Sequence, residues 1–521
     1  MVALSYVRFV IIALWPHVGF CTGSEFRFGS YYASHMVLQQ QPSRAVVWGY
    51  GVVGATVNVS VWGDGGIYSR QTTAVHEVVS PGGGNAGVWK VLLDPFRPGG
   101  PFSVIAEQRI SEATDKIILE DVYFGDVWLC GGQSNMEMTV LQIINASEEL
   151  SLASHYPYIR LFQAGWKMAD HELDDLAGIA VQWSAPVAEI LGRGNFTSFS
   201  AVCWLFGRYL YDKLRYPIGL VESSWGGTPI EAWSSKRALS KCNLSFNVSN
   251  GNEATGPHEP SVLWNAMIHP LKRMAIKGTI WYQGEANAAW HNTEYNCTFP
   301  AMIEDWRETF HQGSEGSIEI NFPFGFVQLS TYHHKVPDDS YPWIRWHQTA
   351  DFGYAPNPKM KRTFMAVAMD LGDEKSPYGT IHPRYKQEVA YRLYLGALAI
   401  AYGETEVVFQ GPFPKHFQQK NSTELSITYS QELAVLELSK DVFEVRCCSK
   451  WYNSNCKWVS APMVNSSVNL VFLSLEECQQ KVNGIRYAWR EWPCILKKCP
   501  LYSRSSKLPA PTFIIPKNDH L

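Results

Sequence analysis

Apolar and polar positions change their pattern twice along this chain. From about residue 26 to 115, short runs such as Arg44-Ala-Val-Val-Trp-Gly49 and Thr56-Val-Asn-Val-Ser-Val-Trp62 alternate with a period of two and are separated by glycines. That period belongs to half-buried strands, so the stretch predicts a small β domain. From about 120 to 402, continuous apolar runs alternate with segments whose apolar residues recur every three or four positions. The runs predict strands over 122–130, 159–163, 217–223, 278–282, 324–329 and 363–369, and the segments between them predict helices over 200–215, 261–275, 300–311 and 384–401. Such alternation implies a parallel sheet covered by helices. Short strands return after Gly403, over 424–429, 434–438, 442–447, 470–473 and 484–489, before a Pro-rich end. The expected fold is therefore α/β, a parallel sheet flanked by helices (119–403) between β-sandwich-like modules at 24–118 and 404–521.

The first two dozen residues stand apart. Arg8 precedes the apolar run Phe9-Val-Ile-Ile-Ala-Leu-Trp15, and small residues lie near Cys21 and Gly23. This reads as a secretory signal, residues 1–23. The run falls short of the roughly 20 apolar residues of a transmembrane helix, and no later run reaches that length, so no membrane anchor is expected. Export agrees with Asn-x-Ser/Thr sequons at Asn58, Asn145, Asn195, Asn243, Asn247, Asn296, Asn421 and Asn465. It agrees also with cysteine usage: Cys447, Cys448, Cys456, Cys478, Cys494 and Cys499 crowd the C-terminal module. No Cys-x-x-Cys pair with partner histidines is present, so disulfides are expected rather than a metal site. Without a Lys-Asp-Glu-Leu-type tail, the expected destination is the lysosome or the outside of the cell. The polar, Asn- and Gly-rich stretch between Asn243 and Gly256 is the expected place for a proteolytic nick.

Charge narrows the partners. Lys and Arg number 44 against 48 Asp and Glu, a formal charge of −4 with no basic tract, which disfavours nucleic acid and anionic membranes. The 20 Trp, 25 Tyr and 25 Phe residues exceed ordinary usage, and aromatic faces often meet sugars.

Parallel α/β sheets carry their chemistry beyond the C-terminal strand ends. The first strand runs through Val127-Trp-Leu-Cys-Gly-Gly-Gln-Ser-Asn-Met136 and puts Ser134 at a helix start, where its own N–H can stabilise a developing oxyanion. The strand ending at Ser223 delivers Gly226 and Gly227, whose turn can expose a backbone N–H. The strand over 278–282 delivers Gln283 and its neutral amide. The last leads from Met369-Asp-Leu-Gly-Asp373 to His382, with Pro383 where a first helical residue belongs. A serine hydroxyl needs an imidazole to remove its proton and to protonate the leaving alcohol. Ser134 and His382 form that candidate pair, and the Ser134 and Gly227 (or Gly226) N–H groups with the Gln283 amide are the candidate oxyanion donors.

These blocks resemble the SGNH/GDSL-type hydrolases, whose motifs supply Ser, Gly, Asn and His in that order. The resemblance rests on Met36-Val-Leu-Gln39, Val47-Trp-Gly49, Asp126-Val-Trp-Leu-Cys-Gly-Gly-Gln-Ser-Asn-Met136, Trp281-Tyr-Gln-Gly-Glu-Ala-Asn287, Ile381-His-Pro383 and Arg486-Tyr-Ala-Trp489, and so spans nearly the whole mature chain. It implies an esterase that removes O-acetyl groups from sialic acids, free or on glycoconjugates, chiefly at the 9-O and also at the 4-O position. It further implies an acetyl-serine intermediate and neither metal nor cofactor, with Gln283 replacing the family's asparagine. Family members carry Asp three residues before the histidine, where this chain has Gly379. Asp370 is the first candidate for the missing acid; Asp373, Glu285 and a Ser–His dyad are the alternatives. Asn135, Trp225 and Arg345 are candidate substrate contacts. Two rival readings are an acetylesterase for other sugar or small esters, and a secreted sialoside-binding protein without turnover.

Overall fold

The computed structural model describes residues 26–79, 84–244, 256–334, 338–448, 456–478 and 481–516. The expected signal segment, the sequon at Asn247 and the interior of the expected nick site lie outside these residues.

The spine of the molecule is β1, Ala113–Gly132, a single strand of 20 residues. Its first half pairs antiparallel with Gly99–Ile110 in the N-terminal β region. From Val122 to Gly132 it is buried without a break, as a strand covered on both faces must be. The expected module boundary at 118/119 therefore falls inside one strand. Six further strands complete the catalytic layer: β2 Ile159–Ala164, β3 Ile179–Ser184, β4 Ile218–Ser224, β5 Gly278–Tyr282, β6 Phe324–Gln328 and β7 Thr363–Val367. Their order is β3-β2-β4-β1-β5-β6-β7, parallel except for the β3 edge. The β3 strand, absent from the sequence reading, is half-exposed and follows β2 without an intervening helix. Register aligns the centre: Ser224 of β4 and Tyr282 of β5 both lie opposite Gly132 of β1. The chain crosses sides between β4 and β5, and the crevice of such a sheet opens at that switch point.

Five helices matter for the site: α1 Ser134–Glu137, α2 Ala201–Leu214, α3 Glu285–Ala289, α4 Tyr295–Gly313 and α5 Lys386–Ile400. Ser200 caps α2 by accepting from Cys203 N–H at 3.1 Å. The helix expected over 261–275 is instead one wide turn, Trp264–Ile268, followed by a tight one, His269–Leu271. Pro270 explains this, since it lacks the N–H that a regular helix would use there. The C-terminal region forms two four-stranded antiparallel sheets and a two-stranded one. Ten cysteines pair as Cys130–Cys203, Cys242–Cys297, Cys447–Cys478, Cys448–Cys456 and Cys494–Cys499. Among the described residues no helix is long and apolar enough to cross a membrane.

Candidate active site

The turn that presents Ser134 depends on Gly132. Its φ is +149°, and a Cβ there would lie 2.2 Å from the Tyr282 carbonyl oxygen, so any side chain would push β1 away from β5. The chain then closes at once: Gln133 N–H donates to Tyr282 O at 3.0 Å, and Gln133 O accepts from Met136 and Glu137 N–H at 2.8 and 3.0 Å. Ser134 is the first residue of α1, where a helix leaves its N–H groups without partners inside the helix.

His382 Nε2 lies 2.8 Å from Ser134 Oγ. Its Nδ1 lies 2.8 Å from the Tyr378 carbonyl oxygen. A carbonyl only accepts, so Nδ1 carries the proton and the Nε2 lone pair faces the serine hydroxyl, the arrangement a general base needs. The loop holding the ring is cross-braced, with Ser376 Oγ–H donating to His382 O at 2.7 Å and His382 N–H to Gly379 O at 2.9 Å. The Phe196 ring packs against the imidazole with centroids 5.1 Å apart. Burial lowers the imidazole pKa, and the nearby Lys386 charge adds to that, against the Tyr378 hydrogen bond. Pro383 does not start the helix: α5 begins at Lys386, because Asp373 draws Arg384 into the preceding loop by accepting from its Nε at 2.6 Å and its backbone N–H at 3.3 Å.

None of the three candidate acids touches His382. Asp370 is fully buried and accepts from Arg392 Nη1 at 2.6 Å, Arg392 Nη2 at 2.9 Å and Tyr502 O–H at 3.1 Å. Asp373 is engaged by Arg384. Glu285 accepts from Asn135 Nδ2 at 2.5 Å, and burial raises its carboxyl. The expectation of Asp370 as the orienting acid is corrected: each carboxylate has a nearer cationic or amide partner, and a backbone carbonyl occupies the place of the acid.

The expected oxyanion donors separate. Gly227 is exposed with φ +74°, and the nearest atom a Cβ there would meet is His258 Cε1 at 3.9 Å. Gly226 touches the serine, since a Cβ there would lie 3.4 Å from Ser134 Cβ, but its N–H is engaged by the Glu137 carboxyl. Gln283 does not stand free. Its Nε2 donates to Thr228 O at 3.2 Å and Asn287 Oδ1 at 2.8 Å, and its Oε1 accepts from Tyr295 O–H at 3.0 Å. The amide ties the loop at Thr228 to α3 and α4, so its expected donor role is corrected.

Two candidate substrate contacts also turn inward. Arg345 is fully buried and gives its guanidinium to four carbonyls, of Leu329, Ser330, Arg490 and Glu491, and burial drives its pKa down to about 10. It clamps the C-terminal region onto the catalytic layer. Asn135 is buried, with both ends of its amide engaged by protein. Trp225 remains half-exposed, and beside it, with ring centroids 6.1 Å apart, stands Trp166, 43% exposed and pinned by its indole N–H to Ser224 O at 3.1 Å. Trp166 escaped the sequence reading, although it lies just past a predicted strand end like the others.

Two more residues, Glu222 and Lys386, were missed, while Glu137 flanks the nucleophile as the sequence places it. Glu137, beside the nucleophile, is held at about 7 by burial, and Glu222, behind it, at about 8. Buried carboxyls in helix and strand carry no sequence signature. Lys386, fully buried at the start of α5, reads in sequence as an ordinary surface lysine. Of the sequons, Asn145, Asn195, Asn243, Asn421 and Asn465 are exposed and Asn58 is half-buried. Asn296 is half-buried and its Nδ2, where a glycan would attach, donates to Asp351 at 2.5 Å, against the expectation of a sugar there.

Known proteins give this geometry a family. Residues 124–376 match the family described as carbohydrate esterase, sialic acid-specific acetylesterase, and residues 415–517 match the sialate O-acetylesterase C-terminal domain. The chain is 51% identical over 517 residues to sialate O-acetylesterases of Pongo abelii and of Homo sapiens, covering 99% of this chain and 97% of each relative. It belongs to the sialate O-acetylesterase family. The Mus musculus sialate O-acetylesterase is 49% identical over 543 residues, covering 99% of this chain and 98% of the relative. A carbohydrate acetylesterase from Xanthomonas citri superposes with a TM-score of 0.75 at 26% identity, covering 94% of this chain and 99% of its own. As a member of the sialate O-acetylesterase family the protein is an esterase, and the α/β layer with its flanking β modules is the architecture of that neighbour.

Proposed function

We propose that this protein hydrolyses O-acetyl esters of sialic acids, free or on glycoconjugates, with 9-O-acetyl preferred over 4-O-acetyl, in the lysosome or outside the cell. The observation that carries the reading is the 2.8 Å approach of His382 Nε2 to Ser134 Oγ at the switch point of the sheet. As the serine oxygen attacks the acetyl carbonyl, His382 takes its proton and the carbonyl oxygen becomes an oxyanion, met by the Ser134 N–H at the start of α1. The tetrahedral species collapses, His382 returns the proton to the departing sugar hydroxyl, and acetyl-Ser134 remains. Water, deprotonated by the same imidazole, then releases acetate. The Tyr378 carbonyl holds the ring in the active tautomer throughout. Trp225 and Trp166 supply an apolar ledge for the sugar, while Arg345 serves the fold.

The test is acetate release from 9-O- and 4-O-acetylated sialic acids by the wild type, Ser134→Ala and His382→Ala, with an aryl acetate as control. Both variants are expected to lose at least ~10³-fold on every substrate. A wild type that binds sialosides but releases nothing would leave the binding-protein reading in place, and a wild type faster on simple sugar acetates would favour the broader acetylesterase.

A further inference from the structure

His382 receives only a neutral acceptor at Nδ1, so something else must fix its distance from Ser134. A buried chain of hydrogen bonds joins the two. Asn135, next to the nucleophile, donates through Nδ2 to the carbonyl of Ile381 at 2.9 Å and to Glu285 Oε1 at 2.5 Å. Its Oδ1 accepts from Lys386 Nζ at 2.6 Å, and the same ammonium donates to the carbonyl of Pro383 at 2.8 Å. The residues just before and just after His382 are thus both tied to the residue just after Ser134. All three side chains are buried, Lys386 completely. We propose that Asn135, Lys386 and Glu285 are positioning residues that hold the histidine loop in register with the nucleophile, and that Lys386 is the keystone of the link.

The surroundings of Lys386 fit that role. Asn135 faces it from α1, and the Tyr282 ring from β5 lies 5.1 Å from Nζ. Glu285 from α3 and Asp373 from the preceding loop act on it through their charges, against a burial that lowers the ammonium to about 7. Asp373 is itself paired with Arg384, and burial raises the Glu285 carboxyl against the Lys386 charge. A full cation in such a place costs several kcal/mol of desolvation, and ordinary packing gives no reason to keep it. Around His382 stand Ser134, the Tyr378 carbonyl, the Phe196 ring and, electrostatically, Lys386.

The proposal rests on the Ser134–His382 reading, and one set of variants separates the two. Asn135→Ala, Lys386→Met and Lys386→Arg are assayed with an aryl acetate beside Ser134→Ala, each rate being divided by the folded fraction from near-ultraviolet circular dichroism. Loosening the register by about 1 Å is expected to lower kcat by ~10²-fold in all three with KM within about twofold. Lys386→Met is also expected to move the acid limb of kcat/KM to higher pH, because removing the nearby positive charge lets His382 hold its proton more readily, whereas Lys386→Arg should leave the limb in place. A kcat per folded molecule unchanged in Asn135→Ala and Lys386→Arg, with Ser134→Ala inactive, would overturn the positioning role alone; an active Ser134→Ala would overturn the mechanism beneath it. Should Lys386→Met fail to fold, the other two variants still decide.

Discussion

Replacing Asp370 by Asn separates two accounts of the same carboxylate. It is the acid nearest in sequence to the histidine loop that also ends a predicted strand. In the structure it is fully buried against the Arg392 fork, with oxygen–nitrogen distances of 2.6 and 2.9 Å, and takes a third bond from Tyr502. Asparagine keeps one acceptor oxygen but turns an NH₂ group toward a guanidinium that can only donate. Removing one member of a buried pair costs roughly 3–5 kcal/mol. At about 2–4 °C per kcal/mol for a domain of comparable size, Tm should fall by about 6–20 °C. An orienting acid would instead be worth as much as ~10⁴-fold in kcat, which is about 5.5 kcal/mol of barrier. The energies are similar, but they appear in different observables. The assay is a thermal melt beside kcat on an aryl acetate, measured well below the lower Tm. The expected result is a large drop in Tm with kcat within a few-fold of wild type. An unchanged Tm with kcat down by ~10⁴ would refute the argument and restore Asp370 to a catalytic triad.

Gln283→Ala should cost stability, at roughly 1–3 kcal/mol for each buried partner left unbonded, while kcat falls by less than the ~10²–10³ that follows loss of an oxyanion donor; paired melts and rates check it. Arg345→Lys should lower Tm and leave KM for a sialoside unchanged, because three ammonium donors cannot serve the four carbonyls that the guanidinium reaches; a raised KM at constant Tm would return Arg345 to the substrate. Glu222 is held at about 8 when folded but titrates near ~4.3 when unfolded, so between those values the folded state holds the extra proton and wild-type stability falls as pH rises. Glu222→Gln should therefore match wild type at roughly pH 4 and gain on it steadily up to about pH 8, as denaturant melts across that range will register; a pH-independent difference would contradict the assignment. Burial lowers the His382 pKa, so the base stays unprotonated into mild acid, and the acid limb of kcat/KM should lie below the ordinary histidine value of ~6.5.

The apolar runs identified six of the seven strands of the catalytic layer, because buried parallel strands are continuous and bounded by turns. Edge strand β3 escaped because its half-exposed alternation lies in a stretch with no helix to frame it. The same logic singled out Ser134, just past the end of β1, and His382, in the loop after β7, which meet at 2.8 Å, whereas of the paired glycines Gly226 lies against the serine and Gly227 does not. Partner choice was not legible. Whether Asp370 meets His382 or Arg392 depends on how α5 packs on β7, a contact between distant segments. Gln283 misled for a related reason: an amide at a strand end can donate into the cleft or into neighbouring loops, and only Thr228 and Asn287, 55 residues back and 4 residues on, decide which. Arg345 suggested a substrate contact because sequence carries no mark of the backbone carbonyls gathered around it from distant segments, and Lys386 reads as a surface cation because its partner Asn135 lies 251 residues away.

The 20-residue strand β1 begins in the N-terminal β region and ends two residues before Ser134. A hinge between those two regions would have to bend β1 itself, which passes directly from pairing with 99–110 and 37–39 to pairing with β4 and β5. The serine is thus cantilevered from the N-terminal region, and trimming the protein to its α/β layer would remove the anchored end of the beam that carries the nucleophile. Whatever moves to admit a substrate must belong to the loops above the sheet, since the strand beneath them has no freedom to give.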